Sequence, residues 1–287
     1  VKIRILTVPI VLTAFLLSLA ALAQHKGIEE PEPEGWLESV YDGDLDAVTN
    51  WIYSGVEVNE KDENEYTPLM WAVLGDHAEI VRLLVDYGAA IDGKGWFDLT
   101  ALHLASSTTS RYDHTLDPSV ARLLVDLGAT VDVRDQLSMT PLMHAAEDNQ
   151  LEIVQMLIEA GASVNTRDAH GMTALMYASK NCHPAVVRAL LEAGAKVNMQ
   201  QLEGYTPLMF ASASGYMTKR HFIERGYNER ARSTAPETVE LLLNAGAEVN
   251  TTDLEGRTAL WWAIQRSRNY RVKRLLTDAG AESLYNR

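Results

Sequence analysis

Thr140-Pro141-Leu142-Met143-His144-Ala145 returns as Thr173-Ala174-Leu175-Met176-Tyr177-Ala178 and again as Thr206-Pro207-Leu208-Met209-Phe210-Ala211, each copy 33 residues after the one before. Between copies stands a second marker, Leu157-Ile158-Glu159-Ala160-Gly161-Ala162 and then Leu190-Leu191-Glu192-Ala193-Gly194-Ala195, followed in each case by Val-Asn at 164 and 165 and at 197 and 198. A fixed period of this length means one supersecondary unit repeated along the chain, with a continuous core made by stacking neighbours.

Working outward, the same opening stands at Thr67-Pro68-Leu69-Met70-Trp71-Ala72, at Thr100-Ala101-Leu102-His103-Leu104-Ala105 and at Thr258-Ala259-Leu260-Trp261-Trp262-Ala263. Closing glycines at 55, 88, 128, 161, 194, 246 and 280 set the count at seven units. The openings and the Gly-Ala-x-Val-Asn endings resemble those of ankyrin-repeat proteins from about Trp36 to the last residue. That resemblance implies an all-α solenoid of helix-turn-helix units joined by finger loops. Two steps depart from the period: Thr100 to Thr140 is seven residues too long and Thr206 to Thr258 is nineteen too long. Two inserted loops, near 106–118 and 216–235, are therefore expected between the helices of their units, on the edge opposite the fingers.

Within a unit the residue types have definite work. The Thr caps the first helix, and Pro after it sits where its missing N–H costs nothing. Leucine pairs such as Leu83-Leu84, Leu123-Leu124 and Leu190-Leu191 are expected to bury against the neighbouring unit, at about 1.5–3 kcal/mol per buried side chain. The closing Gly allows a left-handed C-cap. Met70, Met143, Met176 and Met209 stand where the family usually has His and are read as gap-filling side chains. Only His103 keeps the family histidine, which implies a bond to loop backbone. Trp36, Leu37, Val40, Val48, Trp51 and Ile52 keep helical spacing in a first unit that lacks the opening motif, as an end cap does.

The start of the chain reads differently. Lys2 and Arg4 precede an apolar run from Ile5 to Ala20, and Ala21-Leu22-Ala23 stands before Gln24, the pattern of a signal peptide over 1–23. An uncleaved anchor is the alternative, since a span needs about 20 apolar residues. Residues 24–34 read as a flexible acidic leader, and 35–287 as the repeat domain. Export to a bacterial periplasm, or otherwise secretion, follows as the expectation. A formal net charge of −14 argues against nucleic acid as partner. Cys182 is the only cysteine, so no internal disulfide is available and packing must supply stability.

Local signatures of chemistry are weak. Asp42-Gly43-Asp44-Leu45-Asp46 opens like a calcium loop, but Ala47 and Tyr53 stand where Gly and Glu are needed. Gly93-Lys94-Gly95 is too short for a phosphate loop, and the eight histidines make no H-x-x-x-H pair. No nucleophile elbow occurs. Neither a catalytic residue, a metal site nor a cofactor is expected.

What remains is surface. The resemblance implies a concave face of fingers and first helices that binds another protein, and a monomer with no membrane contact after cleavage is expected. Trp96 and Phe97 at a finger tip are hot-spot candidates. Tyr66, Met139, Met172, Tyr205 and Arg257 occupy one equivalent finger-base position, shared with Leu99. Trp71, His144, Tyr177, Phe210 and Trp262 fill a single first-helix position, read as packing between units. The longer insertion holds Lys219, Arg220, Phe222, Arg225, Tyr227 and Arg230, a basic and aromatic patch suited to an acidic partner. An immunity or inhibitor protein, and an enzyme without local motifs, are the competing readings.

Overall fold

Each Thr-x-Leu opening begins a short helix and each leucine-rich stretch a second one, so the chain runs as consecutive helical pairs. The computed structural model describes residues 35–107, 117–213, 227–265 and 269–282. The pairs are α1 (Trp36–Asp42) with α2 (Leu45–Tyr53), α3 (Pro68–Leu74) with α4 (Ala78–Asp86), α5 (Ala101–Ala105) with α6 (Pro118–Asp126), and α7 (Pro141–Glu147) with α8 (Leu151–Glu159). They continue as α9 (Ala174–Lys180) with α10 (Pro184–Glu192), α11 (Pro207–Ser212) with α12 (Tyr227–Asn244), and α13 (Ala259–Gln265) with α14 (Tyr270–Asp278). No strand occurs among the described residues. First helices pack on first helices of adjacent pairs and second on second, giving two layers with the fingers extending from them. No described helix is long and apolar enough to cross a membrane. The proposed signal peptide and leader, 1–34, lie outside the described residues.

The caps follow the sequence in four openings, whereas the Thr140 side chain makes no cap bond. Thr67, Thr173, Thr206 and Thr258 hydroxyls each accept the backbone N–H three residues on, at 3.3 Å. Of each leucine pair one member is fully buried, Leu84, Leu124 and Leu190, while Leu83, Leu123 and Leu191 are only partly covered. Gly161 turns the end of α8 with φ 89°, a left-handed conformation that strains any side chain. Asp44, from the calcium-like stretch, caps α2 by accepting the Ala47 N–H at 2.9 Å.

Neighbouring pairs are also stitched by polar side chains at fixed register. Asn198 donates to the Gly246 carbonyl at 3.1 Å and accepts the Glu248 N–H at 2.9 Å, and Asn59, Asn165 and Asn250 do the same one pair along. Asp92 and Asp132 replace Asn at two joints and cannot donate. There the next pair supplies a hydroxyl instead, Thr130 to Asp92 and Ser163 to Asp132. Where Asn stands, the matching residue is Ala90, Lys196, Glu248 or Glu282, none with a hydroxyl. Asn198→Asp is accordingly expected to cost about 1 kcal/mol by leaving Gly246 without its donor, and adding Glu248→Thr should recover most of it; a urea-unfolding double-mutant cycle measures the coupling.

A second ladder runs through the fingers. Lys94, Arg134, Arg167 and Gln200 each donate to the backbone carbonyl of the same position one finger on, at Arg134, Arg167, Gln200 and Thr252. Main chains pair too: Gln136, Ala169, Leu202 and Leu254 donate their N–H to Phe97, Leu137, His170 and Glu203. The fingers are therefore a hydrogen-bonded row rather than independent loops.

Residues 108–116 lie outside the described ones, as do 214–226. The end of the longer insertion is helical: α12 is 18 residues long where α10 has 9, and Pro236, in register with Pro184 at the start of α10, falls inside it. The boundary expected at residue 235 is thus interior to a helix.

Candidate functional site

Five residues preceding each opening Thr, four fingers place an aspartate: Asp62, Asp135, Asp168 and Asp253. One oxygen accepts the backbone N–H groups two and four residues on, at 2.8–3.0 Å, and so holds the finger turn. The other oxygen receives a hydrogen bond from the first helix: Trp71 Nε1 at 3.0 Å, His144 Nε2 at 3.0 Å, Tyr177 Oη at 2.7 Å and Trp262 Nε1 at 3.3 Å. The aromatic row expected only to pack between units therefore also locks each finger to its helix. In the two fingers where Asp is absent, Gly95 and Gln201, the matching side chains are Leu104 and Phe210, which have nothing to donate. Burial, with the Glu147 and Asp168 charges, pushes the Tyr177 phenol well above its usual range, so it stays a donor.

Between the third and fourth pairs this lock acquires a third member. His103 accepts the Thr100 N–H on Nδ1 at 3.2 Å and donates from Nε2 to the Met139 carbonyl at 3.2 Å. Its ring meets that of His144 edge to face at 5.4 Å. Burial, then the His144 charge, lowers the His103 pKa to about 4, so the ring is neutral. Burial works against the Asp135 charge, yet the hydrogen bond and charge of His144 and the Met139 N–H hold that carboxyl below its usual range. Donor atoms of His103, Asp135 and His144 lie within 4.8 Å of one another, a metal-type set that no local spacing displays. Both His103 nitrogens already hold backbone groups, and a metal would have to break one of those bonds. The trio is better described as a hydrogen-bonded joint.

The residues expected to touch a partner are distributed unevenly. Met139, Met172 and Tyr205 are buried at 5%, 8% and 5% exposure, because each finger base is covered by its neighbour, and they offer a partner almost nothing. Tyr66 is half-buried against the Trp71 ring at 5.1 Å. Trp96 and Phe97 form a short turn with their rings edge to face at 4.3 Å. Both are half-buried rather than free at a tip, and Phe97 packs on the core. Lys219, Arg220, Phe222 and Arg225 lie outside the described residues, as do the side chains of Tyr227 and Arg230. Cys182 is buried, its thiol 3.5 Å from the Ser179 carbonyl.

Arg257 is the most heavily engaged of the set. It donates to Asp253 at 2.7 Å and to the Tyr205 hydroxyl at 2.8 Å, pairs with Glu255 at 2.6 Å and lies 4.5 Å from the Trp262 ring centre. Burial pushes the Tyr205 phenol up to about 12. Sequence reasoning missed the residues that are truly exposed beside it: Leu202 and Leu254, at the tips of the last two described fingers. Their register, four before the opening Thr, was the available signal.

Comparison with known proteins agrees with this geometry. Residues 37–135 and 113–201 match a family profile described as ankyrin repeats in three copies, and 203–254 match the single ankyrin repeat. A mouse protein named ankyrin repeat, SAM and basic leucine zipper domain-containing protein 1 is 32% identical over 128 residues, 44% of this chain and 26% of its own length. An ankyrin repeat-containing protein of Schizosaccharomyces pombe is 37% identical over 60 residues, 21% of this chain and 28% of its own. The chain thus spans about a quarter of the length of these relatives. Among solved structures, the human ASB11 ankyrin repeat domain superposes with a TM-score of 0.69 at 22% identity, over 88% of this chain and all of that one. The ankyrin repeat domain of Bcl-3 gives 0.66 at 28% identity, over 86% of this chain and all of its own.

Proposed function

The chain belongs to the ankyrin-repeat family, and on that premise we propose that it is a non-catalytic module, exported from the cell, that holds another protein against its finger row and first helices. The observation carrying this reading is where the polar chemistry goes. Asp62, Asp135, Asp168 and Asp253, the joint asparagines and His103 are all spent on stiffening the stack, while Leu202 and Leu254 at the finger tips stay exposed. A surface already rigid before binding loses little conformational freedom on association, so a few contacts suffice. Export is supported by residues 1–23, whose basic start, apolar run and small-residue end fit a signal peptide.

Affinity capture from the producing cells, with chemical cross-links mapped by mass spectrometry, tests the proposal. One protein retained at near-equal stoichiometry, with cross-links on the fingers and first helices, is the expected result. No retained protein, or cross-links confined to the second helices, overturns it.

A further inference from the structure

Leu202 and Leu254 occupy the same register in adjacent fingers and are 64% and 80% exposed, whereas among the described residues the other large apolar side chains so open to solvent belong to helices. The two tips do not move independently, because the Leu254 N–H donates to the Glu203 carbonyl at 3.1 Å. Two exposed apolar side chains on fingers tied by a main-chain hydrogen bond are a ready contact for another apolar group.

The charge around them is unbalanced. Glu203 and Glu255 follow the two leucines, and Asp253 precedes Leu254, so three carboxylates share the Arg257 guanidinium, while Arg167 nearby is spent on the Gln200 and Gly171 carbonyls. That guanidinium is already committed to Asp253, Glu255 and the Tyr205 hydroxyl. Burial raises the Glu203 pKa, Gln201 and Arg257 offset part of this, and Glu255 and Asp253 add a smaller rise. The Glu255 side chain is 70% exposed and can take a second cation.

We propose that the tips of these two fingers dock a short segment of the partner in which aliphatic residues alternate with Lys or Arg. The aliphatic groups lie over Leu202 and Leu254, and the cations reach Glu203 and Glu255. This rests on the binding role proposed above and names the chemistry of the partner's segment. Shape comes from the main-chain pairing of the fingers, and selectivity from the excess negative charge.

Fluorescence anisotropy on the full chain with a labelled peptide of alternating Lys and Leu tests it, with Lys-Ser and Glu-Leu peptides of equal length as comparators. The Lys-Leu peptide is expected to bind at least tenfold tighter than Lys-Ser, and Glu-Leu not to bind. Leu202→Ser with Leu254→Ser should cost at least tenfold. Glu203→Gln with Glu255→Gln should cost as much and flatten the dependence on salt. Leu45→Ser, at an exposed leucine elsewhere, should change nothing. Equal binding of Lys-Leu and Lys-Ser, or full binding by the leucine variant, overturns the proposal, since the acidic surface as a whole would then be responsible. Self-association of the chain, abolished by the leucine variant, would overturn it by making a second copy the occupant. If capture from cells finds a partner that the leucine variant still retains, the docking proposal fails while the binding role stands; if no partner is found, the role fails first.

Discussion

Asp168→Ala is expected to lower the free energy of unfolding by roughly 4 kcal/mol, a large effect for one carboxylate on a finger. The substitution takes the acceptor from three donors, the His170 and Met172 N–H groups and the Tyr177 hydroxyl, which keeps only the weak Met139 sulfur at 3.6 Å. Asp168 is 7% exposed and Tyr177 also 7%, so water cannot easily replace what is lost, and each unsatisfied group costs about 1–3 kcal/mol. Tyr177→Phe alone removes one bond and should cost about 1 kcal/mol. The chain itself contains the compensated alternative, Gln201 with Phe210, in which Gln accepts the Glu203 N–H and the aromatic asks for nothing. Asp168→Gln with Tyr177→Phe should therefore be milder than Asp168→Ala. Urea unfolding followed by circular dichroism ranks the three. An Asp168→Ala loss under about 1 kcal/mol would show that the finger lock is not what holds these turns.

Acid is the second large lever, and its direction is set by the joint between α5 and α7. His103 has its folded pKa lowered from 6.5 to about 4, chiefly by burial and then by the His144 charge. Between those two values the unfolded chain binds a proton that the folded chain refuses. Stability from this ring is fully present above pH 6.5 and is lost as pH falls toward 4, amounting to roughly 3 kcal/mol. Asp135, whose folded pKa is also lowered, adds a loss below its unfolded value of 3.8, as its carboxylate is protonated away from His144 and the Met139 N–H. Lys94, which also bears on His103, favours the neutral ring and so works in the same sense. Unfolding midpoints measured from pH 7.5 to 2 should fall most steeply between pH 6.5 and 4 and again below 3.8. His103→Gln should flatten the upper part of the decline while keeping the part due to Asp135. An identical pH profile for that variant would remove His103 as the cause.

Much of the architecture was legible because a helical hairpin states its needs locally. Thr67, Thr173 and Thr206 cap, Leu142, Leu175 and Leu208 bury, and Gly161 and Gly194 end the second helix, each within one period. The partner-facing residues were harder. Met139, Met172 and Tyr205 look like free finger residues in one dimension, and only the next finger laid against them covers them. Phe97 turns inward through a left-handed turn at Phe97 and Asp98, with Trp96 edge to face on it, which an aromatic in a polar loop does not announce. His103 stands more than 30 residues before Asp135 and His144, yet stacking brings all three to one joint.

By itself the sequence determined the period, the helices, the caps and the family, since these depend on side chains a few residues apart, where helical geometry alone decides what meets. Tertiary structure decided which polar groups pair across units, which aromatics are spent inside, and that Leu202 and Leu254 stay in water. Those outcomes depend on residues some 30 to 50 positions apart, whose meeting is a property of the stack and of no single repeat.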